Sequence, residues 1–410
     1  MRSDQRDSYR TRLAASVMDH VVEDDATWVR LSDSVFYPTS GGQPHDTGVL
    51  RHDGGDAAVT DVTPDGPDGV LHRVEGPLPE VGATVEARID WDRRYRHMQR
   101  HTAQHLLSQA FVRTGPGFAT RSVSLTSPDA TLDLAGEPGP DALAAAFAQA
   151  RAWAYEALGV ASFEVHDSEL DAYPLRRPAK VSGTVRLVRI GEVELSACGG
   201  THLRSAAETL PLLLVSHGRI RGGLTRVAFR AGIEAGERAD ALVAQANRLA
   251  HGFSARWDQL EERVDALRSE LRDARSEVAR ARAAWAEAGV RLAVDDQPGP
   301  VVRVACDDPA LLAPLAEACA TLAPGAVAVL GAAPGAGDGG RATVLLQAGP
   351  EVAAEVDLRP VLREALQAVD GKGGGKPDRG QGAGPRAAGL QEALDLAEAR
   401  VRTHVGRDAN

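Results

Sequence analysis

The sequence predicts an α+β protein. It reads as a small β-barrel over residues 1–91, an α/β unit over 92–236, a long helical coil over 237–288 and a C-terminal α/β domain over 289–410. Three observations carry this. Residues 1–90 break into short alternating or β-branched runs separated by Gly, Pro and Asp clusters. After Trp91 the pattern turns helical. From Trp257 to Trp285 apolar positions recur in steps of three and four, the 3.5-residue period of a coiled-coil seam.

Taken in order, 26–31, 48–51 and 84–90 are the clearest strands of the barrel. Helices are predicted over 91–112 and 140–158, and strands over 181–190, 210–215 and 224–230. In the coil the seam runs through Leu260, Val264, Leu267, Leu271, Ala274, Val278 and Ala281, with charged residues between. About fifty helical residues span roughly 75 Å at 1.5 Å each. Leu249, Phe253 and Trp257, spaced four and four, interrupt the period at its start. The coil reads either as a helix pair within one chain or as the stalk of a homodimer that also uses the C-terminal domain. Beyond it lie strands over 301–305, 327–330 and 343–347, helices over 309–322, 358–369 and 390–405, and a glycine-rich loop over 371–384.

Composition narrows the function. With 410 residues, 43% hydrophobic and 25% charged, the chain is ordinary globular material. Seven Phe, five Tyr and five Trp leave an aliphatic core. A formal net charge of −11 excludes a nonspecific polycation, so any nucleic-acid contact rests on local arginine clusters. Three Cys are too few for a disulfide framework. No apolar run is long enough for a membrane span, and the polar start lacks a signal core. The expectation is a cytoplasmic protein with no membrane partner.

The chemistry concentrates in two short segments. In His97-Met-Gln-Arg-His-Thr-Ala-Gln-His105, His101 and His105 are four apart. A helix puts both imidazoles on one face, about 5–6 Å apart at Cβ, where they can share a tetrahedral Zn²⁺. His97 extends the stripe by one turn, as a further ligand, a partner to a ligand or a surface His. In Ser196-Ala-Cys-Gly-Gly-Thr-His202, Cys198 and His202 flank a glycine turn that lets thiolate and imidazole point one way. A His₃Cys set suits zinc by ligand softness; the alternative is an inert buried Cys beside an incidental His. A third segment, Phe36-Tyr-Pro-Thr-Ser-Gly-Gly-Gln-Pro-His-Asp-Thr-Gly48, pairs Gly41 and Gly42 with Gln43. Such a turn brings backbone N–H groups close to a ligand, and Gln43 can orient a water or hold a ribose hydroxyl; the alternative is a plain hairpin. Arg93, Arg94, Arg96 and Arg100 crowd the first turns of the His helix, as a phosphate-binding face or as an ordinary solvated one.

In this order, Thr-Ser-Gly-Gly-Gln-Pro-His-Asp-Thr-Gly, His-Thr-Ala-Gln-His-Leu-Leu and Cys-Gly-Gly-Thr-His resemble the editing domain of alanyl-tRNA synthetase, and more closely the freestanding AlaX-type editing proteins. The stretch 120–134 resembles the strand pair that follows the His helix in that family. The glycine-rich loop with Lys372, Lys376 and Arg379 resembles the DHH-associated C-terminal domain. The editing-like region begins near residue 10, so an editing protein is expected rather than a synthetase. Asp19-His20-Val21 is not a DHH metal motif.

The resemblance implies hydrolysis of the ester joining serine, or glycine, to tRNA(Ala). Packing alone separates serine from alanine by only about 10–200-fold, which is why a second site is needed. It implies zinc on His101, His105, Cys198 and His202. The substrate would be met by backbone N–H groups of Gly41, Gly42, Gly199 and Gly200 and by the side chains of Gln43, Thr102, Gln104 and Thr201. Synthetase editing domains usually carry Thr where this chain has Gln104, so Gln104 or Thr102 is expected to read the serine hydroxyl. RNA would be held by Arg93, Arg94, Arg96 and Arg100 and by Lys372, Lys376 and Arg379. Four protein ligands normally close a zinc site, whereas a catalytic ion keeps a position open. The sequence leaves open whether the metal activates water or positions the substrate. Two other readings share these residues: editing of another mischarged tRNA such as Ser-tRNA(Thr), and a non-enzymatic, zinc-stabilised protein that binds tRNA or dimerises.

Overall fold

The computed structural model describes residues 2–405 apart from 24–25, 67–68, 116, 180–181 and 335–339. The chain forms two compact units, Met1–Leu249 and Ala250–Asn410.

The first unit opens with a short helix α1 (Ser3–Arg6), then β1 (Arg12–Glu23), β2 (Ala26–Leu31), β3 (Gly48–His52), β4 (Gly55–Asp65), β5 (Gly69–Glu75) and β6 (Thr84–Ile89). These six strands close into a barrel in the order β1-β2-β5-β4-β3-β6, which leaves no unpaired edge. Alternation fills it: β6 turns Val85, Ala87 and Ile89 inward while the residues between them face out. His72 lies inside among these apolar side chains, and burial pushes its pKa down to about 4. It is thus neutral, bonded to the Val29 carbonyl and the Ser34 hydroxyl.

Asp90 caps the next helix, α2 (Trp91–Thr114), by accepting from the Arg93 amide. There follow β7 (Thr120–Ser124), β8 (Ala130–Ala135), α3 (Pro140–Tyr155), β9 (Val160–His166), β10 (Thr184–Ile190), β11 (Glu194–Ala197), β12 (Leu212–Ile220), β13 (Leu224–Ala231) and α4 (Gly232–Gly252). The α/β pattern expected over 92–236 is corrected. Both sheets here, β11-β10-β9 and β12-β13-β8-β7, are antiparallel. Short turns join β10 to β11 and β12 to β13, the latter at Gly222 and Gly223, both at positive φ, so these pairs need no crossover helix. The strand expected from Val181 is observed from Thr184; Val181 itself lies outside the described residues. Helix α2 is buried along most of its length, packing Leu106, Leu107, Ala110 and Phe111 against α3 and the larger sheet. That burial makes it a rigid mount.

In the second unit, α5 (Leu260–Asp296), β14 (Val301–Cys306), α6 (Leu312–Leu322), β15 (Val327–Ala332), β16 (Ala342–Ala348), α7 (Leu358–Gln367), β17 (Lys372–Lys376), β18 (Arg379–Gly384) and α8 (Leu390–Val405) build a mixed sheet ordered β14-β15-β16-β18-β17. Helices α7 and α8 cover one face, α5 and α6 the other.

Two expectations are corrected here. The coil is not one run over 237–288. Helix α4 stops at Gly252, Ser254 takes a φ of +52°, and α5 begins at Leu260. The interrupted period at Leu249, Phe253 and Trp257 marks this break. The glycine-rich stretch 371–384 is a β-hairpin rather than a loop. Its glycines let α7 lie on bare backbone: a Cβ on Gly382 would sit 2.3 Å from Leu366 Cδ1, and one on Gly380 2.7 Å from Leu362 Cδ2. Among the described residues no helix is long and apolar enough to cross a membrane.

Candidate metal centre

His101 and His105 project from one face of α2, and Cys198 and His202 from the turn after β11. Their donor atoms all lie within 4.8 Å of one another. Cys198 Sγ is 3.4 Å from His101 Nε2 and 3.3 Å from His202 Nε2. Tetrahedral zinc bonds of about 2.3 Å to sulfur and 2.0–2.1 Å to nitrogen place such donors about 3.5 Å apart, so Cys198 stands at the spacing the ion needs from His101 and from His202. Gly200 must be glycine here, because a Cβ would lie 2.1 Å from His101 Cε1.

Each imidazole is held by its outer nitrogen. His101 Nδ1 lies 2.7 Å from Gln43 Oε1, His202 Nδ1 3.2 Å from Thr102 Oγ1, and His105 Nδ1 3.1 Å from Glu194 Oε1. Acceptors at Nδ1 fix the proton there and leave the Nε2 lone pair for a metal. Gln43 is itself fixed by Thr201, donating from Nε2 to the hydroxyl at 2.8 Å and accepting the amide at 3.2 Å. Burial opposes ionisation of Cys198, but the imidazoles of His101 and His202 outweigh it and hold the thiol well below its usual value. Burial, with His101 next to it, pushes His202 down to about 3, so that ring is neutral. Cys198 and His202 are thus in the protonation state a metal requires, whereas burial is outweighed at His105 by Cys198 and Glu194, which push it up to about 9, so a metal binding there displaces a proton. The Gly200 amide donates to the sulfur at 3.4 Å. Arg186 grips the carbonyls of Cys198 and Gly200 at 2.8 and 2.9 Å, fixing the turn.

These contacts reassign several residues. Gln43, Thr102 and Thr201 were expected to meet substrate; in the structure Gln43 bonds His101, Thr102 bonds His202, and Thr201 holds Gln43. Gly200 gives its N–H to Cys198, and Gly199 gives its carbonyl to Gln5. Gln104 is on the ligand face of α2 with one bond, from Nε2 to Ser108 Oγ at 2.9 Å. Gly41 and Gly42, at φ of +57° and +86°, form a tight turn packed against β7. His97 is no surface residue: it is buried outside the ligand cluster, its Nδ1 has no partner, and burial with the Arg100 and Arg93 charges pushes it down to about 3.

The arginine stripe is corrected as well. Arg94 is fully buried on Asp46, with Nε 2.9 and 3.0 Å from the two carboxylate oxygens. Arg100 is buried on Glu234 at 2.5 and 2.6 Å. Arg96 pairs with Glu237, and Arg93 donates to the His45 carbonyl. Arg94 and Arg100 anchor α2 and are not available to phosphate. Lys372, Lys376 and Arg379 are exposed on the β17–β18 hairpin.

Glu194 was missed, along with Arg176, which pairs with it at 2.9 and 3.1 Å. The signal was the two-residue period of β11, which turns Glu194, Ser196 and Cys198 the same way. Burial raises a carboxyl, but His105 and Arg176 hold Glu194 below its usual value, hence ionised. Glu194→Gln is expected to weaken metal binding about 10–100-fold. Competition against a chromophoric chelator measures this; a change under about twofold would show that the carboxylate does not tune the centre.

Three families match segments of the chain: tRNA synthetases class II (A) over residues 10–93, the threonyl and alanyl tRNA synthetase second additional domain over 185–228, and the DHHA1 domain over 308–403. The second of these spans Cys198 and His202. Alanine–tRNA ligase from Frankia alni is 34% identical over 93% of this chain and 44% of its own length. That from Pyrococcus abyssi is 32% identical over 60% of this chain and 29% of its own. The chain thus spans less than half the length of these relatives. The C-Ala domain of Aquifex aeolicus alanyl-tRNA synthetase aligns with 25% of this chain and 89% of its own, at 23% identity and a TM-score of 0.22. Matched in this order along one chain, these domains identify an alanyl-tRNA-synthetase-related protein whose arrangement is consistent with the AlaX type.

Proposed function

We propose that this chain hydrolyses the ester of a mischarged tRNA(Ala), with Ser-tRNA(Ala) as the main substrate and Gly-tRNA(Ala) as the second. The observation that carries this reading is the convergence of His101, His105, Cys198 and His202 on one point, each imidazole held by its outer nitrogen. A zinc ion bound there would supply Lewis-acid polarisation beside the ester once one of the four ligands yields its position. Cys198 is the least buried of the four, so the acceptor end arrives from its side. Gln104 reads the serine hydroxyl, since the Thr102 hydroxyl is engaged by His202 and the Leu203 amide. Amides of the Gly41-Gly42 turn donate to the developing oxyanion. The exposed hairpin cations Lys372, Lys376 and Arg379 hold a second part of the tRNA. Leu271, Val278 and Trp285 are exposed on α5, which supports a homodimer through the coil. A cytoplasmic place of action follows from the substrate.

The test is a deacylation panel. Ser-tRNA(Ala) is expected to be cleaved at least tenfold faster than both Ala-tRNA(Ala) and Ser-tRNA(Thr), a gap of the size a polar reader of one hydroxyl can make. Preference for Ser-tRNA(Thr) moves the substrate. Stable Ser-tRNA(Ala) in the presence of metal-loaded protein leaves a binding or dimerising role.

A further inference from the structure

In the first unit a cavity of about 380 Å³ opens between the C-terminal half of α2 and the sheet β11-β10-β9. That volume lies in the range of small-ligand sites. Gln109 and Arg113 line it from α2; Phe163, Tyr173, Arg176 and Arg189 line it from the other side. Phe163 and Tyr173 form a tilted aromatic pair with centroids 5.8 Å apart. The charged part of the lining sets Arg113, Arg176 and Arg189 against Glu192 and Glu194, an excess of one guanidinium. Arg176 is spent on Glu194. Arg189, 51% exposed, reaches Glu192 only at 3.8 Å. Arg113 sits over the Trp153 ring at 5.0 Å and meets a carbonyl, with no carboxylate partner among the described residues.

Two more arginines lie outside the lining, close enough to repel each other. Arg177 follows it in the chain. Arg121 is the extra residue of a bulge in β7, where Thr120 pairs with Leu134 and Ser122 with Asp133. Bulges re-aim side chains, often next to functional sites. Neither Arg121 nor Arg177 has an ion pair or hydrogen bond among the described residues. Partial burial, then repulsion from Arg176 and Arg121, pulls the Arg177 pKa down. A local excess of guanidinium beside an aromatic wall, on a chain of net charge −11, is a recognition surface for a planar, anionic group. Guanidinium pairs with phosphate through two parallel N–H groups, and bases stack on aromatic rings whatever their sequence.

Arg176 is joined to the metal centre through a single residue, Glu194, which also holds His105. We infer that the cavity, with Arg121 and Arg177 at its side, is a subsite for a nucleotide of a single-stranded RNA 3′ end, its base against Tyr173 and its phosphodiester on the two unpaired arginines. This rests on the proposed function, with the terminal ester at the metal and the preceding nucleotide over Arg176.

The test measures binding of uncharged RNA to the full chain, so it does not require hydrolysis. The probes are a hairpin ending in single-stranded ACCA, the same hairpin made blunt, and free CMP and AMP. Arg121→Ala and Arg177→Ala are each expected to weaken binding of the overhang hairpin about three- to tenfold and to reduce the salt slope by about one. Tyr173→Ala weakens it about tenfold. Arg177→Lys recovers part of the loss, and affinity for the blunt hairpin stays the same in every variant. Tyr173 also packs on apolar neighbours, so the two exposed arginines decide the matter if that variant unfolds. Equal affinity of wild type for overhang and blunt hairpins overturns the inference, as do arginine variants that bind like wild type. Free mononucleotide binding that is lost in the variants, without any overhang preference, overturns the RNA assignment. If the overhang effects appear while Ser-tRNA(Ala) is not hydrolysed, the subsite stands and the proposed reaction fails; the opposite pattern separates them the other way.

Discussion

His105→Ala, or removal of the metal with a chelator, is expected to slow Ser-tRNA(Ala) hydrolysis by about 10²–10⁴-fold. That is the rate equivalent of the several kcal/mol a bound metal contributes to transition-state charge stabilisation. His105 is the sharpest choice because it ties the centre to Glu194 and, through it, to Arg176. Single-turnover deacylation, with metal content and circular dichroism on the same samples, checks it. Affinity for uncharged tRNA should hold while chemistry is lost. Metal-free protein that retains full activity would favour an editing reaction that needs no ion. Global unfolding without a selective loss of activity would favour a structural knot.

Asp46→Asn is expected to destabilise the first unit by about 3–5 kcal/mol, the cost of leaving a buried charge without its partner. Both members of the Arg94–Asp46 pair are fully buried. Arg94 also donates to the carbonyls of Ser8 and Val35 at 2.9 and 2.6 Å, so it cannot swing out to water without breaking the start of α2. At about 2–4 °C per kcal/mol for a unit of this size, the thermal midpoint should fall by roughly 6–20 °C. The paired change Arg94→Met with Asp46→Leu should recover most of it, because matched apolar replacement of a buried ion pair is often neutral. A single-variant shift under about 2 °C would mean the pair carries little.

Sequence reading reached furthest where the information is local. The four-residue step of His101 and His105 needs only a helix, and Cys198 and His202 need only the glycine turn between them. It fell short where burial decides. The α2 period places Arg94 and Arg100 on faces of the helix but does not show that Asp46 and Glu234 wait there, 48 and 134 residues away. Gln43 was read as a water-orienting group because nothing nearby in the chain shows that His101 will claim its carbonyl. Glu194 was legible in the strand alternation, but its partner lies 89 residues away. The glycines of 371–384 were read as a loop; their lack of side chains serves close packing under α7. The end of α4 was visible in Gly252 and the broken period, and the seam beyond it hid the stop.

The clasp built from Gln43, α2 and the 194–202 segment exists only once chain separated by up to 158 residues has been brought together. In the unfolded ensemble those donors are scattered, and closing so long a loop is entropically unfavourable. Whatever occupies the point they surround therefore draws on the folded population by mass action. The supply of any ion that binds there would thereby become a lever on how much intact first unit persists, apart from any turnover.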